Sequence, residues 1–294
     1  MEFPHVSHCL WDLKQYTWYV TLLRVYQTLS EDISTNKIIR QTGAGTSMSR
    51  LGWADLGLAT QNDMAAQADM LANLNPSVPM IADADTGYGG PTMVARTLAK
   101  YARAGVAAMH LEDQVQEKRC GHLLGKEIVS REVYFSRIRS AVNARSELGV
   151  DIMIIARTDS RQIYGFEEAY ERLRGAVEIG ADAVFPEAME SKEEAAEMVR
   201  RLADVPCLLN MVPSGVTPEI TTEEAKEMGF RLMIFPAIGF EGAMHGIRSA
   251  FEKLKAEGRQ PLTSLGVKEG FELCGLQQCV DLDKRAGGKA YASV

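Results

Sequence analysis

The sequence has no apolar run long enough to cross a bilayer. Its most apolar N-terminal stretch, residues 18–25, is interrupted by Arg24 and falls far short of the ~20 residues that a membrane span needs. Positive charge is also scarce, because 32 Lys and Arg residues stand against 39 Asp and Glu residues, for a net charge of −7. No basic stripe is present to neutralise phosphates. We therefore expect neither a membrane nor a nucleic acid as a partner.

Cysteine is sparse as well. The five cysteines are an odd number, their spacing matches no zinc motif, and no signal peptide precedes them. This pattern indicates a reducing compartment. We expect the protein in the cytoplasm, and a mitochondrial location stays open although no amphipathic, Arg-rich presequence is evident.

Short apolar runs alternate with amphipathic helical stretches from about residue 78 onward. Such alternation is typical of buried parallel strands in βαβ units. Six units in a row, with room upstream for more, predict an α/β fold of the (β/α)8 TIM-barrel type. A doubly wound sheet is the alternative, disfavoured because no GxGxxG follows an early strand. The predicted strands are 78–82, 106–111, 152–156, 183–185, 207–209 and 232–235, and the predicted helices are 91–104, 131–147, 166–179, 191–203, 222–228 and 240–256.

Polar side chains follow these strands where each one ends. In a barrel the carboxyl ends of the strands meet on one face, where the active site is built. The side chains at these ends are Asp83, Asp85, His110, Glu112, Asp113, Arg157, Thr158, Asp159, Glu187 and Asn210.

Three of these residues, Asp83, Asp85 and Glu112, form a predicted carboxylate cluster. Clustered carboxylates repel one another and are costly to keep ionised without a cation. Oxygen ligands with open positions suit Mg²⁺, or Mn²⁺ in its place. The alternative is that these acids cap helices or pair with Arg and Lys. The glycine-rich turn at residues 86–90 favours the metal site, because it lets backbone approach a ligand closely.

A second group of reactive residues is the run Lys118-Arg119-Cys120-Gly121-His122. A thiol beside two cations and a histidine should favour the thiolate, so we expect Cys120 to exchange a proton near neutral pH. Neighbouring glycines suit a loop that closes over a substrate. The alternative is a solvated basic loop with an incidental cysteine.

Two further features can hold an anion. Arg157, at a strand end, is well placed to bind a carboxylate through two nitrogens, or else only balances Glu187 or Asp159. The turn at residues 42–46, Thr-Gly-Ala-Gly-Thr, offers free backbone N–H groups.

Five motifs of the sequence resemble those of a known enzyme superfamily. IADADTGYGG at 81–90, HLEDQ at 110–114, KRCGH at 118–122, ARTD at 156–159 and LLNM at 208–211 together resemble the isocitrate lyase/phosphoenolpyruvate mutase superfamily. The match covers about residues 41–285. It is most similar to the short branch that holds methylisocitrate lyase, 2,3-dimethylmalate lyase and oxaloacetate acetylhydrolase.

The resemblance implies a (β/α)8 barrel, a homotetramer with C-terminal helices exchanged between subunits, and a Mg²⁺ site. Asp83 would bind the metal directly, Asp85 and Glu112 partly through water, and Asp55 would support them. Cys120, Arg157 and Glu112 would be the catalytic residues, with Cys120 in proton transfer on a gating loop. The implied substrate-binding residues are Thr42, Gly43, Ala44, Gly121, His122, Arg157, Glu187, Asn210 and Pro236.

The implied reaction is cleavage of the C2–C3 bond of a 2-hydroxy dicarboxylate or tricarboxylate, giving pyruvate and a second carboxylate through a metal-stabilised enolate. Oxaloacetate hydrolases of the branch carry a serine where this chain has Pro236, which favours a dimethylmalate-type lyase. The alternatives are an oxaloacetate acetylhydrolase, a hydrolase of a C–P bond, or an inactive relative that serves as a binding subunit.

The first 40 residues depart from the family, whose members have a PGxYD-like strand there. We therefore divide the chain into a divergent segment (1–40), a barrel domain (41–257) and a C-terminal helical segment with a tail (258–294). Residues 37–41 fit the second strand, and residues 19–26 fit either a replacement first strand or part of a helix. A missing strand would expose two sheet edges, so barrel closure depends on this segment.

Overall fold

The computed structural model describes residues 23–27, 37–74, 76–261, 266–273 and 275–291. One sheet of eight strands runs through it in the order β6-β5-β4-β3-β2-β1-β8-β7. A parallel bridge between Val184 and Cys207 joins the two ends of that order, so the sheet closes into a barrel. The strands are β1 (Leu23–Gln27), β2 (Lys37–Arg40), β3 (Met80–Asp83), β4 (Ala108–Leu111), β5 (Met153–Thr158), β6 (Ala183–Pro186), β7 (Leu208–Asn210) and β8 (Leu232–Ile234).

The first strand differs from the others in direction. β1 pairs antiparallel with β2, Val25 opposite Ile38, and antiparallel with β8, Tyr26 opposite Met233. Parallel neighbours need a crossover of a dozen or more residues, whereas only residues 28–36 connect β1 to β2. The short connection therefore accounts for the antiparallel pairing. The atypical first strand that the sequence predicted thus fills the gap between β2 and β8.

The helices follow the strands in the order of a (β/α) barrel, and a π-helical turn at residues 47–51 extends the first of them. The helices are α1 (Gly43–Thr46), α2 (Gln61–Leu74), α3 (Pro91–Arg103), α4 (Arg131–Leu148), α5 (Arg161–Tyr164), α6 (Phe166–Ile179), α7 (Lys192–Arg201), α8 (Thr222–Met228), α9 (Ile238–Glu257), α10 (Val267–Leu273) and α11 (Leu276–Arg285).

Local sequence explains where several helices begin and end. Pro91 at the first position of α3 is preset for the helix and lacks the N–H that would be unsatisfied there. Thr221 caps α8 in a reciprocal capping box with Glu224. Gly149 ends α4 in the left-handed conformation that glycine adopts without strain.

Two apolar clusters can be traced among the residues that the structure describes. The inner cluster fills the barrel axis with side chains from successive strands, and includes Ile81, Ile155, Phe185 and Leu208. The outer cluster packs β6–β8 against α6, α7 and α8 through residues such as Met198. Because every residue of β3, β4, β6, β7 and β8 is buried, these strands read as nearly continuous apolar runs.

The structure confirms the predicted barrel fold. All six predicted strands and all six predicted helices are present, with ends that differ by a few residues, and residues 37–40 form a strand as predicted. The predicted 19–26 segment is described only from residue 23, where it is β1.

The described residues fall into two compact units, one within residues 21–240 and one within 241–291. Within the part of the chain that the structure describes, no helix is long and apolar enough to cross a membrane.

Candidate active site

The carboxyl ends of β3–β7 bring the predicted polar residues together. The register places Asp83 opposite His110, and Arg157 opposite Phe185. Since side chains alternate between the two faces of a strand, residues two apart on one strand point into the same space. Most of this group is buried, including Asp83, Asp85, Glu112, Arg157, Glu187 and Asn210.

Two backbone N–H groups donate to the Asp83 carboxylate, and the His110 ring lies beside it. Oδ2 accepts from the Gly43 N–H at 2.8 Å, and Oδ1 accepts from the Asp85 N–H at 2.9 Å. His110 Nδ1 lies 3.4 Å from Oδ1. Burial raises the pKa of Asp83, but the neighbouring His110 and the cations Lys118, Arg40 and Arg157 outweigh it and hold the pKa below its usual range. Asp83 is therefore ionised at neutral pH.

Lys118 bridges two further carboxylates. Its Nζ lies 2.6 Å from Asp55 Oδ1 and 2.6 Å from Asp85 Oδ1. Asp85 has a φ of 44°, a left-handed conformation that Asp tolerates better than most residues, and this turns its side chain into the cluster. Burial raises the pKa of Asp85 to about 7 despite Lys118, with help from Asp83 and Asp55. A second cation in this space would therefore be favourable.

Arg157 is the central cation of the other half of the site. Its Nε lies 2.8 Å from Asp159 Oδ2 and 3.1 Å from Glu112 Oε2, and its Nη2 lies 3.3 Å from Glu187 Oε2. The guanidinium carbon lies 5.0 Å from the centre of the Phe185 ring. Burial raises the pKa of Glu112 well above its usual range despite Arg157, whereas Arg157 holds the pKa of Glu187 low against the opposing effect of burial.

The loop at residues 114–128 covers this half of the site. Lys126 Nζ donates to the Gly121 carbonyl at 2.6 Å and to Asp159 Oδ1 at 2.9 Å, with no exposure of the side chain. A Cβ on Gly121 would lie 2.6 Å from Arg157 Nη2 and 2.6 Å from Glu187 Cγ. The loop backbone is thus packed against the arginine, and only glycine fits there.

His122 joins the loop to the end of β7. Its Nδ1 accepts from the Val216 N–H at 3.1 Å, so the other nitrogen carries the proton, and that Nε2 lies 3.3 Å from Glu187 Oε1. Asn210 Nδ2 donates to Glu187 Oε2 at 3.1 Å. Among the described residues, Asn210 Oδ1 has no hydrogen-bond partner.

The predicted thiolate character of Cys120 is wrong. Burial raises the pKa of the thiol above its usual value, so the thiol is protonated at neutral pH. The two neighbouring cations do not act on it as expected, because Lys118 is committed to Asp55 and Asp85, and Arg119 Nη1 donates to the Leu124 carbonyl. The structure therefore presents Cys120 as an acid rather than as a base.

The predicted anion-binding turn lies beside Asp83. Thr42 caps α1, and a Cβ on Gly43 would lie only 2.7 Å from Asp83 Oδ2. Thr42 and Gly43 are buried and Ala44 is half-buried. Pro236 follows β8 by two residues and is half-buried. Every predicted site residue thus lies in or next to a turn or loop that follows a strand.

Two buried residues of this region, Arg40 and Lys126, were not predicted, and His110 was predicted only as a side chain at a strand end, without a role. Arg40 Nη2 lies 2.8 Å from His110 Nε2. Arg40 stands at the end of β2, so the rule that selected His110 and the other strand-end residues also applied to it. Lys126 had no such signal, because its partner Asp159 is distant in sequence.

The fold and this site define an enzyme barrel of the phosphoenolpyruvate phosphomutase family. That family model matches residues 10–255 of the chain, and the chain belongs to the family. The resemblance to the isocitrate lyase/phosphoenolpyruvate mutase superfamily is therefore confirmed.

Individual relatives indicate which enzymes of this family the chain is similar to. The chain is 41% identical to a 2-methylisocitrate lyase of Aeropyrum pernix, over 82% of this chain and 77% of the relative. It is 41% identical to a 2,3-dimethylmalate lyase of Eubacterium barkeri, over 74% of each. A crystal structure of 2,3-dimethylmalate lyase superposes with a TM-score of 0.85 at 52% identity, covering 87% of this chain and 85% of that one.

A second solved structure is comparably similar. Oxaloacetate acetylhydrolase with the inhibitor 3,3-difluorooxalacetate superposes with a TM-score of 0.84 at 50% identity, covering 86% of both chains. The lyases among the relatives confirm the predicted enzyme class, a carbon–carbon lyase.

Proposed function

We propose that this chain cleaves the C2–C3 bond of a 2-hydroxy dicarboxylate or tricarboxylate of the dimethylmalate or methylisocitrate type, releasing pyruvate and a second carboxylate. The observation that carries the proposal is the loop backbone at Gly121 packed against Arg157 and Glu187, with a protonated thiol beside it. This geometry combines an anion-binding cation with a proton donor in one enclosed space.

The donor set at the ends of β3 and β4 fits a hard divalent cation. The site contains six carboxylates and four cationic side chains, so its net charge is −2 when all of them are ionised. No three carboxylates among the described residues already converge on one point, and Lys118 Nζ lies between two of them. The carboxylates are Asp55, Asp83, Asp85, Glu112, Asp159 and Glu187, and the cations are Arg40, Lys118, Lys126 and Arg157.

Asp83, Asp85 and Glu112, supported by Asp55, would hold Mg²⁺, or Mn²⁺ in its place. Oxygen-only donors are the ligands that these ions prefer. When bound, the ion would supply the charge that stabilises negative charge developing on the substrate oxygen. The raised pKa values of Asp85 and Glu112 show how costly the carboxylates are to ionise without that charge.

The substrate carboxylate would bind between the turn at residues 42–44 and Arg157. Arg157 offers a planar donor fork, although in this structure it is engaged by Glu112, Asp159 and Glu187. Asn210 Oδ1 would accept a hydrogen bond from substrate, since it lacks another partner among the described residues.

Cys120 would protonate C3 as the C2–C3 bond breaks. The bonding electrons pass to C3 beside a carboxylate, the thiol proton passes to C3, and the 2-hydroxyl proton leaves as C2 becomes the carbonyl of pyruvate. Glu112, once ionised beside a bound cation, is our candidate to take that hydroxyl proton. In the reverse direction the thiolate would act as the base.

The direct test is pyruvate release with Mg²⁺ from 2-methylisocitrate, 2,3-dimethylmalate, isocitrate and oxaloacetate. We expect pyruvate from one of the first two substrates, lost with EDTA and in Cys120→Ala. Acetate and oxalate from oxaloacetate, without pyruvate, would instead favour the acetylhydrolase. No turnover of any substrate by folded protein would favour the inactive binding subunit. The homotetramer with exchanged helices stays a prediction, which light scattering would test.

A further inference from the structure

Arg40 lies at the end of β2 with its guanidinium in the barrel interior. The side chain is 2% exposed, and its Nη2 lies 2.8 Å from His110 Nε2. Among the described residues its Nε has no hydrogen-bond partner. The guanidinium carbon also lies 5.8 Å from the centre of the Phe185 ring, which Arg157 contacts as well. A buried guanidinium with a single close hydrogen-bond partner among the described residues needs an explanation beyond packing.

The contact between Arg40 and His110 determines where the imidazole proton lies. A guanidinium only donates hydrogen bonds, so His110 Nε2 must be the acceptor. The proton of the neutral ring is then on Nδ1, because the hydrogen bond at one nitrogen selects the protonation of the other. Nδ1 lies 3.4 Å from Asp83 Oδ1, and the ring is kept in place edge-on against Phe185, with the ring centres 5.7 Å apart.

We propose that Arg40 is a positioning residue that acts through His110 on the Asp83 carboxylate. It fixes the Nδ1–H form of His110 and so places a donor 3.4 Å from Asp83 Oδ1, a contact that falls short of hydrogen-bond geometry in this structure and that limits the orientations open to the carboxylate. The proposal rests on the proposed function, in which Asp83 binds a divalent cation directly. Partners that orient metal ligands from behind change metal affinity by roughly 10–100-fold when they are removed.

A purely electrostatic role for Arg40 makes the opposite prediction. Removing a buried positive charge close to Asp83 would make the site more negative and bind a divalent cation more tightly. If the positioning contact is what matters, its loss would make the site bind the divalent cation more weakly. The sign of the change in affinity therefore separates the two roles.

The experiment measures Mn²⁺ affinity of the full-length chain by electron paramagnetic resonance of the free ion. In Arg40→Met, which is close in length but neither charged nor a donor, we expect ~10-fold weaker binding. His110→Asn places an amide N–H near the position of Nδ1 without any need for Arg40. We therefore expect Arg40→Met to change affinity less than about twofold in the His110→Asn background, as a coupled pair requires.

Solid-state ¹⁵N spectra of protein labelled at the histidine rings give a second readout that does not depend on metal. We expect the His110 signal, assigned by its loss in His110→Asn, to report Nδ1–H in the unaltered chain and to change to Nε2–H or a mixture in Arg40→Met. Thermal unfolding of each variant controls for loss of fold.

The Mn²⁺ affinities and the ¹⁵N spectra together decide whether Arg40 is a positioning residue. Tighter Mn²⁺ binding in Arg40→Met, an equal loss in both backgrounds, or an unchanged ¹⁵N signal would overturn the positioning role. If the unaltered chain binds no Mn²⁺ while the ¹⁵N signal changes as expected, the metal site and the effect on it fail, and Arg40 retains only its control of the His110 ring.

Discussion

Gly121 sets how closely the loop at 114–128 can approach Arg157 and Glu187. A Cβ added there would lie 2.6 Å from Arg157 Nη2, 2.6 Å from Glu187 Cγ and 2.7 Å from Glu187 Oε2. Non-bonded heavy atoms prefer separations of about 3.5–4.0 Å. Gly121→Ala must therefore move the loop, or the two buried side chains, by about 1 Å. Moving either side chain costs free energy, because Arg157 and Glu187 also form an ion pair with each other.

We expect Gly121→Ala to lower kcat/KM for the cleaved substrate by about 100-fold, since a misplacement of about 1 Å has that order of effect on a positioned site. This corresponds to about 2.7 kcal/mol of transition-state stabilisation. Global stability should change little, because the loop lies outside both apolar clusters. Steady-state pyruvate release and thermal unfolding measure the two quantities.

The matched control is Gly242→Ala in α9. An added Cβ there meets nothing within 4 Å, and the residue is helical, so the same chemical change should leave kcat/KM unchanged. If Gly121→Ala keeps kcat/KM within threefold of the unaltered chain, close packing of the loop backbone is not needed for turnover, and our reasoning about closure is wrong.

Three other substitutions test the site and its surroundings. Tyr101→Phe removes a fully buried hydroxyl that donates to the Asp83 carbonyl at 2.6 Å, and should cost roughly 1–3 kcal/mol in urea unfolding; an unchanged midpoint would contradict this. Glu168 has its pKa lowered from 4.5 to about 2, chiefly by a hydrogen bond from Arg131, so its stabilisation is complete above pH 4.5 and is lost as pH falls towards 2. Glu168→Gln should flatten that acid limb of the stability curve, and an unaltered limb would refute the linkage. Gly43→Ala places a methyl 2.7 Å from Asp83 Oδ2 and should reduce pyruvate release while leaving the melting temperature intact, whereas full activity would show that Asp83 can shift freely.

The barrel was predictable because its signals are local. Helix α6 occupies the predicted 166–179, and its apolar spacing is set within the segment itself. The convergence of strand-end residues such as Asp83 and Glu112 also followed from the sequence, because parallel strands of a barrel must end on one face.

Partner choice within the site was not predictable in the same way. Lys118 stands two residues before Cys120, which suggested that it acts on the thiol, yet its Nζ binds Asp55 and Asp85. Those carboxylates are 63 and 33 positions away in the chain, and only the tertiary fold brings them near. The error about the thiolate follows directly from this, because a cation already held by two carboxylates no longer stabilises a neighbouring thiolate.

The antiparallel first strand bears on whether the chain can be active. Every predicted site residue lies at or after Thr42, beyond β1 (Leu23–Gln27). β1 instead connects β2 to β8, so that both strands have a partner on each side and neither edge is left open. Reversal of one strand changes the loops at its ends without moving the ends of β3–β7, where the carboxylates, Arg157 and Asn210 lie. The family model matches from residue 10, so the predicted divergence of the first 40 residues does not extend over that whole segment. An atypical first strand is therefore compatible with a complete site, which favours a catalytic role over that of an inactive binding subunit.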